Sequence, residues 1–524
     1  MPHDGCRLRR RRAPGRERLP EVAPGAHRGT RASSARPAVR GLSELTYAQA
    51  LEALEGRGRF GVRLGLGRTR AMLRALGDPQ RSFRGALVAG TNGKGSVLAL
   101  AGAALRAANL RVGETPKPHL ISYRERLQID GHPVDPATFA RLVGRVLPVA
   151  DRVARRLGDP TEFEILTAVV FLWFAEQRID LALVEVGLGG RLDATHAWDG
   201  GVAAITNVDL DHMDRLGSTV TAIAREKAAI IERGDLAVTG ADGDGLAVIR
   251  RRARRLDVLL TEVAPVPLLA WDRDGIVVEL PRLREVRVGL RGRHQAANVA
   301  VADAVLDALE RAGIATVPDD ARRHGYRTAR WPGRLELLEL PGGVEVLLDG
   351  AHNPAGARTL ATALDDLRPW LVGGDERTPP RLTLLTAMMG DKDVAGTVEA
   401  LGASATLAGA RVICTSVEGA RAMQAAELAA VWRRRDPTLA VTAVVSVGAA
   451  IATALADPQG PIVVAGSLYL VGAVRGLLVD DPALRDPRSE PLAPAPGTLP
   501  AAGSVTVAGA GSDVREPDSV TEPA

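Results

Sequence analysis

The sequence predicts an α/β protein with two mostly parallel sheets, and three observations lead to this fold class. Apolar runs of about five residues recur along the chain, and they are too short for helices. Most of them end in clusters of glycine and polar residues. Segments of helical length, many of them rich in alanine, lie between them. Strands that alternate with helices in this way are typical of parallel sheets covered by helices on both faces.

The first of these runs, residues 86–89, leads into a glycine loop and then into an Ala/Leu-rich helix that extends to Asn109. In this order, strand, glycine loop and helix predict a phosphate-binding loop, because backbone N–H groups and the positive helix N-terminus attract anions. The loop consists of Gly90, Thr91, Asn92, Gly93, Lys94, Gly95 and Ser96. Lys94 is expected to reach the terminal phosphates of a nucleotide, and Ser96 to hold a magnesium ion.

This loop departs from the common G-x-x-x-x-G-K-[ST] pattern. Val88 occupies the position of the first glycine, and Gly95 separates Lys94 from Ser96. The alternative interpretation is a glycine turn with a solvent-facing lysine. With the phosphate-binding interpretation, the fold class becomes a P-loop type ATPase domain with a mostly parallel sheet, followed by a smaller Rossmann-like α/β domain.

Polar residues that follow two further predicted strands are candidate metal ligands, because open α/β sheets bind ligands beyond the carboxyl ends of their strands. Glu185 lies near the end of the run 181–186, where a bare buried carboxylate would cost several kcal/mol unless a cation accompanied it. The alternative is a solvent-facing glutamate or an ion pair with Arg191. His212 follows the next strand and is either a metal ligand or a structural histidine. Lys227, taken alone, is a surface lysine of a helix.

Composition divides the chain into four parts. We expect a disordered Arg-rich extension over residues 1–41, an N-terminal ATP-binding domain over 42–328 and a C-terminal α/β domain over 329–484. The Pro/Ala-rich residues 485–524 show no periodicity and are expected to be disordered. The domain junction is placed beside Trp331-Pro332-Gly333, since proline and glycine interrupt regular structure.

Charge and cysteine content limit the partners of the protein. Residues 1–40 hold eleven arginines against three acidic residues, whereas the whole chain has a net charge of +5, so the body is mildly acidic. With aromatic residues at only 3%, a nucleic-acid surface is not expected. The uncharged run 438–456 is interpreted as strand, turn and helix and not as a membrane span. Two cysteines and no apolar signal sequence predict a cytoplasmic protein; we also expect a monomer.

Taken together, these residues resemble the folylpolyglutamate synthase and dihydrofolate synthase branch of the Mur ligase family. The resemblance extends from about Leu45 to Arg475. It rests on the stretches LTYAQALEAL, FGVRLGLGRTRAML, VAGTNGKGSV, KPHLISYRERLQIDG, TEFEILTAVVFLWF, VEVGLGGRLDATH, ITNVDLDHMDRLGSTVTAIAREKAAII, GRHQAANVAVA, WPGRLELL, LLDGAHNPAGA, MMGDKDV and GSLYLVGAVR.

The resemblance implies an ATP- and magnesium-dependent ligase that adds L-glutamate to the carboxylate of dihydropteroate or a folate through an acyl phosphate. By the same resemblance, Lys94, His212 and Lys227 would be catalytic, and Lys227 matches a lysine that is often carbamylated. Glu185 and His212 match metal ligands, with Ser96 nearby. Nucleotide contacts would come from the glycine loop and from Asn298, Arg334, Asp349 and His352.

Two positions depart from the family pattern. Lys117 stands where a metal-binding serine is usual, so either its ammonium replaces part of the charge of a cation or the side chain turns outward. His196 stands where asparagine is common. Arg124 and Arg126 are candidate contacts for an anionic substrate, with an exposed ion pair to Glu125 as the alternative. Two other functions stay open: a related ligase for another acid, and a nucleotide-binding regulatory module without ligase activity.

Overall fold

The computed structural model describes residues 45–58, 64–372, 382–419, 421–458, 460–487 and 506–507. The predicted Arg-rich extension, residues 1–41, lies outside the described residues, as does most of the predicted tail 485–524. The described residues form two predominantly parallel sheets and one small antiparallel sheet, and the predicted α/β fold class is confirmed.

The first sheet has eight strands in the order β4-β3-β2-β5-β1-β6-β7-β8, parallel from β2 to β8 and antiparallel at β3 and β4. The bounds are β1 Arg84–Ala89, β2 Val112–Thr115, β3 Gln128–Ile129, β4 His132–Pro133, β5 Leu181–Glu185, β6 Gly201–Ile205, β7 Leu236–Thr239 and β8 Leu259–Glu262. Val88 pairs with Glu185, and Ala89 with Ile205. The glycine loop, Glu185 and the residues after β6 therefore follow neighbouring strand ends at one edge of the sheet.

Helices cover both faces of this sheet. Their bounds are α1 Tyr47–Gly58, α2 Gly67–Ala75, α3 Lys94–Ala107, α4 Pro136–Leu157, α5 Glu162–Gln177, α6 Met213–Leu216, α7 Val220–Ala228, α8 Gly243–Leu256, α9 Gln295–Arg311 and α10 Asp319–Thr328. One core includes Phe139 and Phe171 from α4 and α5. The other core lies between the sheet and α3, α9 and α10, and includes Leu100 and Tyr326.

The segment 235–290 contains β7, α8 and β8. Helix α8 is amphipathic, because Val248, Ile249 and Ala253 are buried at helical spacing and arginines occupy its exposed side. Beyond β8 the segment forms an antiparallel three-stranded sheet in the order β11-β10-β9. Its strands are β9 Leu268–Asp272, β10 Gly275–Leu280 and β11 Arg284–Val288.

After a turn at residues 331–334 the chain forms the second sheet, in the order β16-β15-β14-β17-β13-β12-β18. Its strands are β12 Glu336–Glu339, β13 Glu345–Leu348, β14 Thr383–Thr386, β15 Arg411–Cys414, β16 Val441–Ala443, β17 Ile462–Ala465 and β18 Thr506–Val507. Its helices are α11 Pro354–Leu371, α12 Val394–Gly402, α13 Ala425–Arg435, α14 Val447–Ala456 and α15 Leu468–Leu478. β12 and β18 are antiparallel to their neighbours, and β13 to β17 are parallel.

Two segments of the C-terminal half bear on the sequence predictions. The uncharged run 438–456 forms β16 and α14, and no helix among the described residues is long and apolar enough to cross a membrane. Thr506–Val507 belong to the tail expected to be disordered, yet they pair with Leu338 and Glu339 of β12. A strand of two residues carries no alternation that a sequence pattern could show.

Candidate active site

The glycine loop between β1 and α3 has the backbone shape that a bound anion requires. Gly93 has φ of +81°, and α3 begins at the next residue, Lys94. Among the described residues no side chain caps this helix, so the N–H groups of its first turn have no side-chain acceptor. A Cβ atom on Gly93 would lie 2.2 Å from Oδ1 of Asn298, which shows how closely α9 approaches the loop.

Asn207, which follows β6, holds the first half of the loop. Its Oδ1 accepts hydrogen bonds from the backbone N–H groups of Thr91 (3.2 Å) and Asn92 (2.9 Å). A neighbouring side chain thus already satisfies these two amides. The free amides at the start of α3, from Lys94 to Ser96, are the better phosphate donors.

Two lysines converge on one carbonyl group of the loop. Nζ of Lys94 donates to the backbone oxygens of Gly90 (3.0 Å) and Thr91 (3.1 Å), so the solvent-facing alternative is wrong. Nζ of Lys227 also donates to the Gly90 oxygen, at 2.8 Å, and this residue is only 4% exposed. Burial, and then the nearby positive charge of Lys94, lowers the pKa of Lys227 to about 7. The interpretation of Lys227 as a surface lysine is thus also wrong.

Glu185 ends β5 and is 3% exposed. Its Oε2 accepts a hydrogen bond from the backbone N–H of Lys117 at 2.8 Å. The solvent-facing alternative is wrong, and so is the pair with Arg191, which binds Glu226 instead. Burial raises the pKa of the Glu185 carboxyl, whereas the positive charge of Lys94 acts in the opposite direction. A cation placed beside Glu185 would stabilise its charged form.

Lys117 points into the protein, so the outward alternative is wrong. Its Nζ donates to the backbone oxygen of Glu185 and lies 5.2 Å from the centre of the Phe163 ring. Burial lowers the pKa of Lys117 to about 8, while Asp193 and Glu185 raise it. An ammonium group thus lies at the position where the family resemblance led us to expect a metal-binding serine.

His212 is the least enclosed of the predicted site residues, with a side chain that is 40% exposed. It adopts a left-handed backbone conformation, with φ of +49°, at the start of α6. Burial lowers its pKa, Asp211 raises it, and Lys392, Lys94 and Lys227 lower it further. Three lysines are therefore close enough to disfavour the protonated ring, which leaves its nitrogen available as a metal ligand.

The predicted metal ligands fit a hard cation in part. Ser96 (6% exposed) and Glu185 supply the oxygen atoms that magnesium prefers, whereas an imidazole ligand is more typical of transition metals. No group of three His, Cys, Asp or Glu residues that could hold a metal occurs in the part of the chain that the structure describes. A metal at this site would therefore need oxygens of a bound phosphate in addition to Ser96, Glu185 and His212.

Four further predicted residues lie on α9 and at the start of the second sheet. Nδ2 of Asn298 donates to Oε1 of Gln295 at 2.8 Å. The Asp349 carboxylate accepts from the backbone N–H groups of Leu335 (3.0 Å) and Ala351 (2.9 Å), which fixes it between β12 and β13. The charges of Asp349 and Glu185 both act on Arg334, whose pKa burial lowers. Arg334 thus connects the second sheet electrostatically with the strand-end carboxylate of the first.

His352 is oriented by its own loop, since its Nδ1 lies 2.8 Å from the backbone oxygen of Gly350. Burial lowers its pKa, and Arg334 and Lys392 contribute in the same direction. Lys392 therefore acts on both His212 and His352, and sequence reasoning did not assign it a role. It belongs to the stretch MMGDKDV, but a lysine in a loop gives no signal of where it points.

A narrow, largely apolar cavity adjoins Lys117. Its polar lining is Lys117, Arg126 and three threonines, and its apolar lining is Phe163, Leu166, Val170 and Phe171. Arg126 donates to Nδ1 of His119 at 2.9 Å and lies 5.4 Å from the Tyr123 ring centre. The lining of this narrow cavity thus combines two cationic side chains with two aromatic rings.

Arg124 is not available to a substrate, because it is 3% exposed and binds Asp486 at 3.2 Å. The alternative ion pair with Glu125 is also wrong. That carboxylate accepts from the backbone N–H groups of Leu120, Ile121 and Ser122. A contact with an anionic substrate therefore stays a prediction for Arg126 and is no longer expected for Arg124.

Comparison with known proteins assigns the chain to a family. Residues 88–306 match the Mur ligase middle domain, and residues 333–468 match the Mur ligase glutamate ligase domain. A dihydrofolate synthase/folylpolyglutamate synthase from Mycobacterium tuberculosis is 35% identical over 464 residues, which cover 80% of this chain and 90% of that protein. The chain belongs to the folylpolyglutamate synthase/dihydrofolate synthase family of Mur ligases. The turn at 331–334 lies where one matched domain gives way to the other.

Solved structures of this family have the same fold. The Mycobacterium tuberculosis folylpolyglutamate synthase complexed with ADP superposes with a TM-score of 0.73 at 32% identity, covering 83% of this chain and 99% of that one. The bifunctional folylpolyglutamate synthase/dihydrofolate synthase from Yersinia pestis, complexed with AMPPNP and Mn ion, gives 0.69 at 30% identity, covering 84% and 99%. Both similar enzymes thus bind an adenine nucleotide, and the second also binds a divalent metal.

Proposed function

We propose that the protein is an ATP-dependent ligase that joins L-glutamate to the carboxylate of dihydropteroate, of a tetrahydrofolate, or of both. The products are the amide, ADP and phosphate. ATP and a divalent metal, magnesium in the cell, are its cofactors, and its substrates are small molecules.

One observation carries the proposal: Lys94, at the uncapped start of α3, acts through its charge on the buried carboxylate of Glu185, and Lys227 shares the Gly90 backbone oxygen with Lys94. Two ammonium groups and a helix N-terminus make a cradle for a polyphosphate. Glu185 would be a poor neighbour for phosphate alone, because like charges repel. A divalent metal held by Glu185 would offset this repulsion.

The reaction that fits this cradle begins with phosphoryl transfer. A carboxylate oxygen of the acid attacks the γ-phosphorus of ATP, the bond to the β-phosphate oxygen breaks, and ADP leaves. The glutamate amine then attacks the acyl carbon, loses a proton, and phosphate departs with the electrons of the C–O bond. Lys94 and the amides of α3 would offset the charge that builds on the phosphate oxygens.

The metal would be held by Ser96, Glu185 and His212, and it would neutralise phosphate charge and orient the triphosphate. Lys227 would be the lysine that becomes carbamylated. Because its pKa is about 7, a large fraction of its amine is neutral. The neutral amine can attack CO2 and form the carbamate with loss of a proton. The resulting anion would lie beside Lys94.

Asn298 would contact the nucleotide from the side of α9, and Arg334, Asp349 and His352 would contact it from the side of the second sheet. The influence of Glu185 on the pKa of Arg334 supports this role, because charges from both sides of the cleft then act on one region. Closure of the two domains over the cleft would exclude water from the acyl phosphate, which water would otherwise hydrolyse. The acid itself would lie against the cavity lined by Phe163 and Arg126.

The test is a product assay. Purified protein receives ATP, magnesium and glutamate with dihydropteroate in one tube and tetrahydrofolate in another, and mass spectrometry follows the gain of one glutamyl unit. We expect the gain in at least one tube, and none with the Lys94→Ala variant, whose fold is checked by thermal unfolding. Arg81→Ala removes a cation that is 79% exposed and serves as the control that keeps activity. A gain in neither tube would reject the proposal.

The same assay separates the alternatives. A related ligase for another acid would release ADP only with that acid. A regulatory module without ligase activity would bind ATP but release no ADP with any acid and glutamate. The cytoplasmic location, the monomeric state and the lack of a nucleic-acid partner stay predictions from the sequence.

A further inference from the structure

The loop of residues 116–127, here called the acid loop, carries both cations of the proposed acid site, Lys117 and Arg126. Its internal structure is a capping box around a short helical turn, in which Ser122 and Glu125 cap one another. Two contacts attach this loop of the first domain to the C-terminal part of the chain, one at Gly472 and one at Asp486.

The first contact seats Leu120 against the second domain. A Cβ atom on Gly472 of α15 would lie 2.0 Å from the backbone oxygen of Leu120, so only glycine permits this approach. The Leu120 side chain lies beside Gly333, where an added Cβ would be 3.0 Å from it and 2.9 Å from Val471. The acid loop therefore packs on α15 with almost no room to move sideways.

The second contact is made by Asp486, 364 residues after Ser122. Its Oδ1 accepts from the Ser122 hydroxyl at 2.7 Å and from Nε of Arg124 at 3.2 Å. The other guanidinium nitrogens of Arg124 donate to the backbone oxygens of Val134 (3.1 Å) and Arg485 (3.0 Å). The end of the described C-terminal segment is thus bound to the acid loop through charge and backbone together.

The second contact is largely shielded from water. The Arg124 side chain is 3% exposed and that of Asp486 is 16% exposed, so water cannot replace either partner easily. The neighbouring pair Arg485 and Asp480 is different, since both side chains are about half exposed or more. Exposed ion pairs of that kind contribute little free energy and do not hold a loop in one position.

We propose that Asp486 is a positioning residue for the ligation reaction, which holds the acid loop so that Lys117 and Arg126 face the acid substrate. The proposal rests on the proposed function. Asp486 touches neither ATP nor the reacting atoms, and it acts through Ser122 and Arg124. Its loss should therefore weaken binding of the acid and leave binding of ATP unchanged.

The experiment compares Asp486→Asn, Asp486→Glu and the control Asp480→Asn in the full-length protein. We expect Asp486→Asn to raise the KM for the acid about tenfold, with the KM for ATP within about twofold of the wild-type value. Asp486→Glu restores the charge and should recover most of the loss, and Asp480→Asn should match the wild type. If Asp486→Asn does not fold, Ser122→Ala tests the same prediction: it removes the hydroxyl that bonds Asp486 and caps the N–H of Arg124, and it should raise the KM for the acid at least about threefold.

Hydrogen exchange supplies a readout that does not need activity. The N–H groups of Leu120, Ile121 and Ser122 are bonded to Glu125, and they should exchange about tenfold faster in Asp486→Asn. An unchanged KM for the acid together with unchanged exchange would overturn the proposal, as would equal losses for acid and ATP. A wild-type protein that forms no product would reject the proposed function, while the exchange rates would still decide whether Asp486 holds the loop.

Discussion

Replacement of Gly93 by alanine tests the geometry of the glycine loop most directly. The residue has φ of +81°, and its missing Cβ would fall 2.2 Å from Oδ1 of Asn298. Asn298 cannot turn away freely, because it is 8% exposed and its Nδ2 is bonded to Gln295. Either Asn298 or the loop must move, and both belong to the proposed nucleotide site.

The size of the effect has two parts. Alanine in the left-handed region costs about 1–2 kcal/mol wherever it occurs. Gly343 has φ of +82° with nothing within 4 Å of its added Cβ, so Gly343→Ala carries this cost alone. Gly93→Ala adds a displacement of about 1 Å next to the phosphates, and misplacement of that size costs about a hundredfold in rate.

Initial rates at varied ATP concentration, together with thermal unfolding of each variant, separate the two parts. We expect Gly93→Ala to lose at least as much stability as Gly343→Ala, and only Gly93→Ala to lose about a hundredfold in kcat/KM for ATP. If Gly93→Ala kept a kcat/KM within about threefold of the Gly343→Ala value, the inferred contact between the loop and α9 would be refuted.

Three further predictions concern stability and the N-terminus. Glu336→Gln should destabilise the protein by about 3 kcal/mol in chemical unfolding, because it leaves the buried Arg475 guanidinium, 3.1 Å away, without its charge partner. Asp457→Asn, at a side chain 68% exposed, is the control that should change little. Burial raises the pKa of Asp235 to about 8, so the wild type should lose stability as the pH rises from about 4 to 8, where the unfolded chain holds fewer protons. Asp235→Asn cannot ionise, so its unfolding temperature should exceed that of the wild type at pH 8 by more than at pH 4. Deletion of residues 1–40 should leave the rate of ligation unchanged, and a large loss would show that the extension acts in the reaction.

Local patterns predict the parts of the site that follow strands. Residues 86–89 and 181–186 are short and apolar, so the sequence alone is enough to place Lys94 and Glu185 just beyond strand ends. The register between neighbouring strands then determines which residues lie beside Lys94 and Glu185. No local sequence pattern encodes the register between strands that are distant in the chain. For this reason the pairing of Asn207 with the loop amides could not be predicted.

The direction in which a side chain points is the second feature that the sequence alone does not predict. Lys117, Lys227 and Arg124 each had a solvent-facing alternative, because a cation in a polar stretch is usually exposed. All three point inward, toward partners far away in sequence: Glu185, Gly90 and Asp486.

The bond between Ser122 and Asp486 has a consequence for how the molecule is made. A ribosome releases the acid loop long before it reaches codon 486, so the first domain can fold while its guanidinium at Arg124 still lacks this carboxylate. The acid loop gains its last anchor only when synthesis is nearly complete. Proteolytic trimming that removes Asp486 would return the loop to that earlier state, and of the strands described here it would remove only β18.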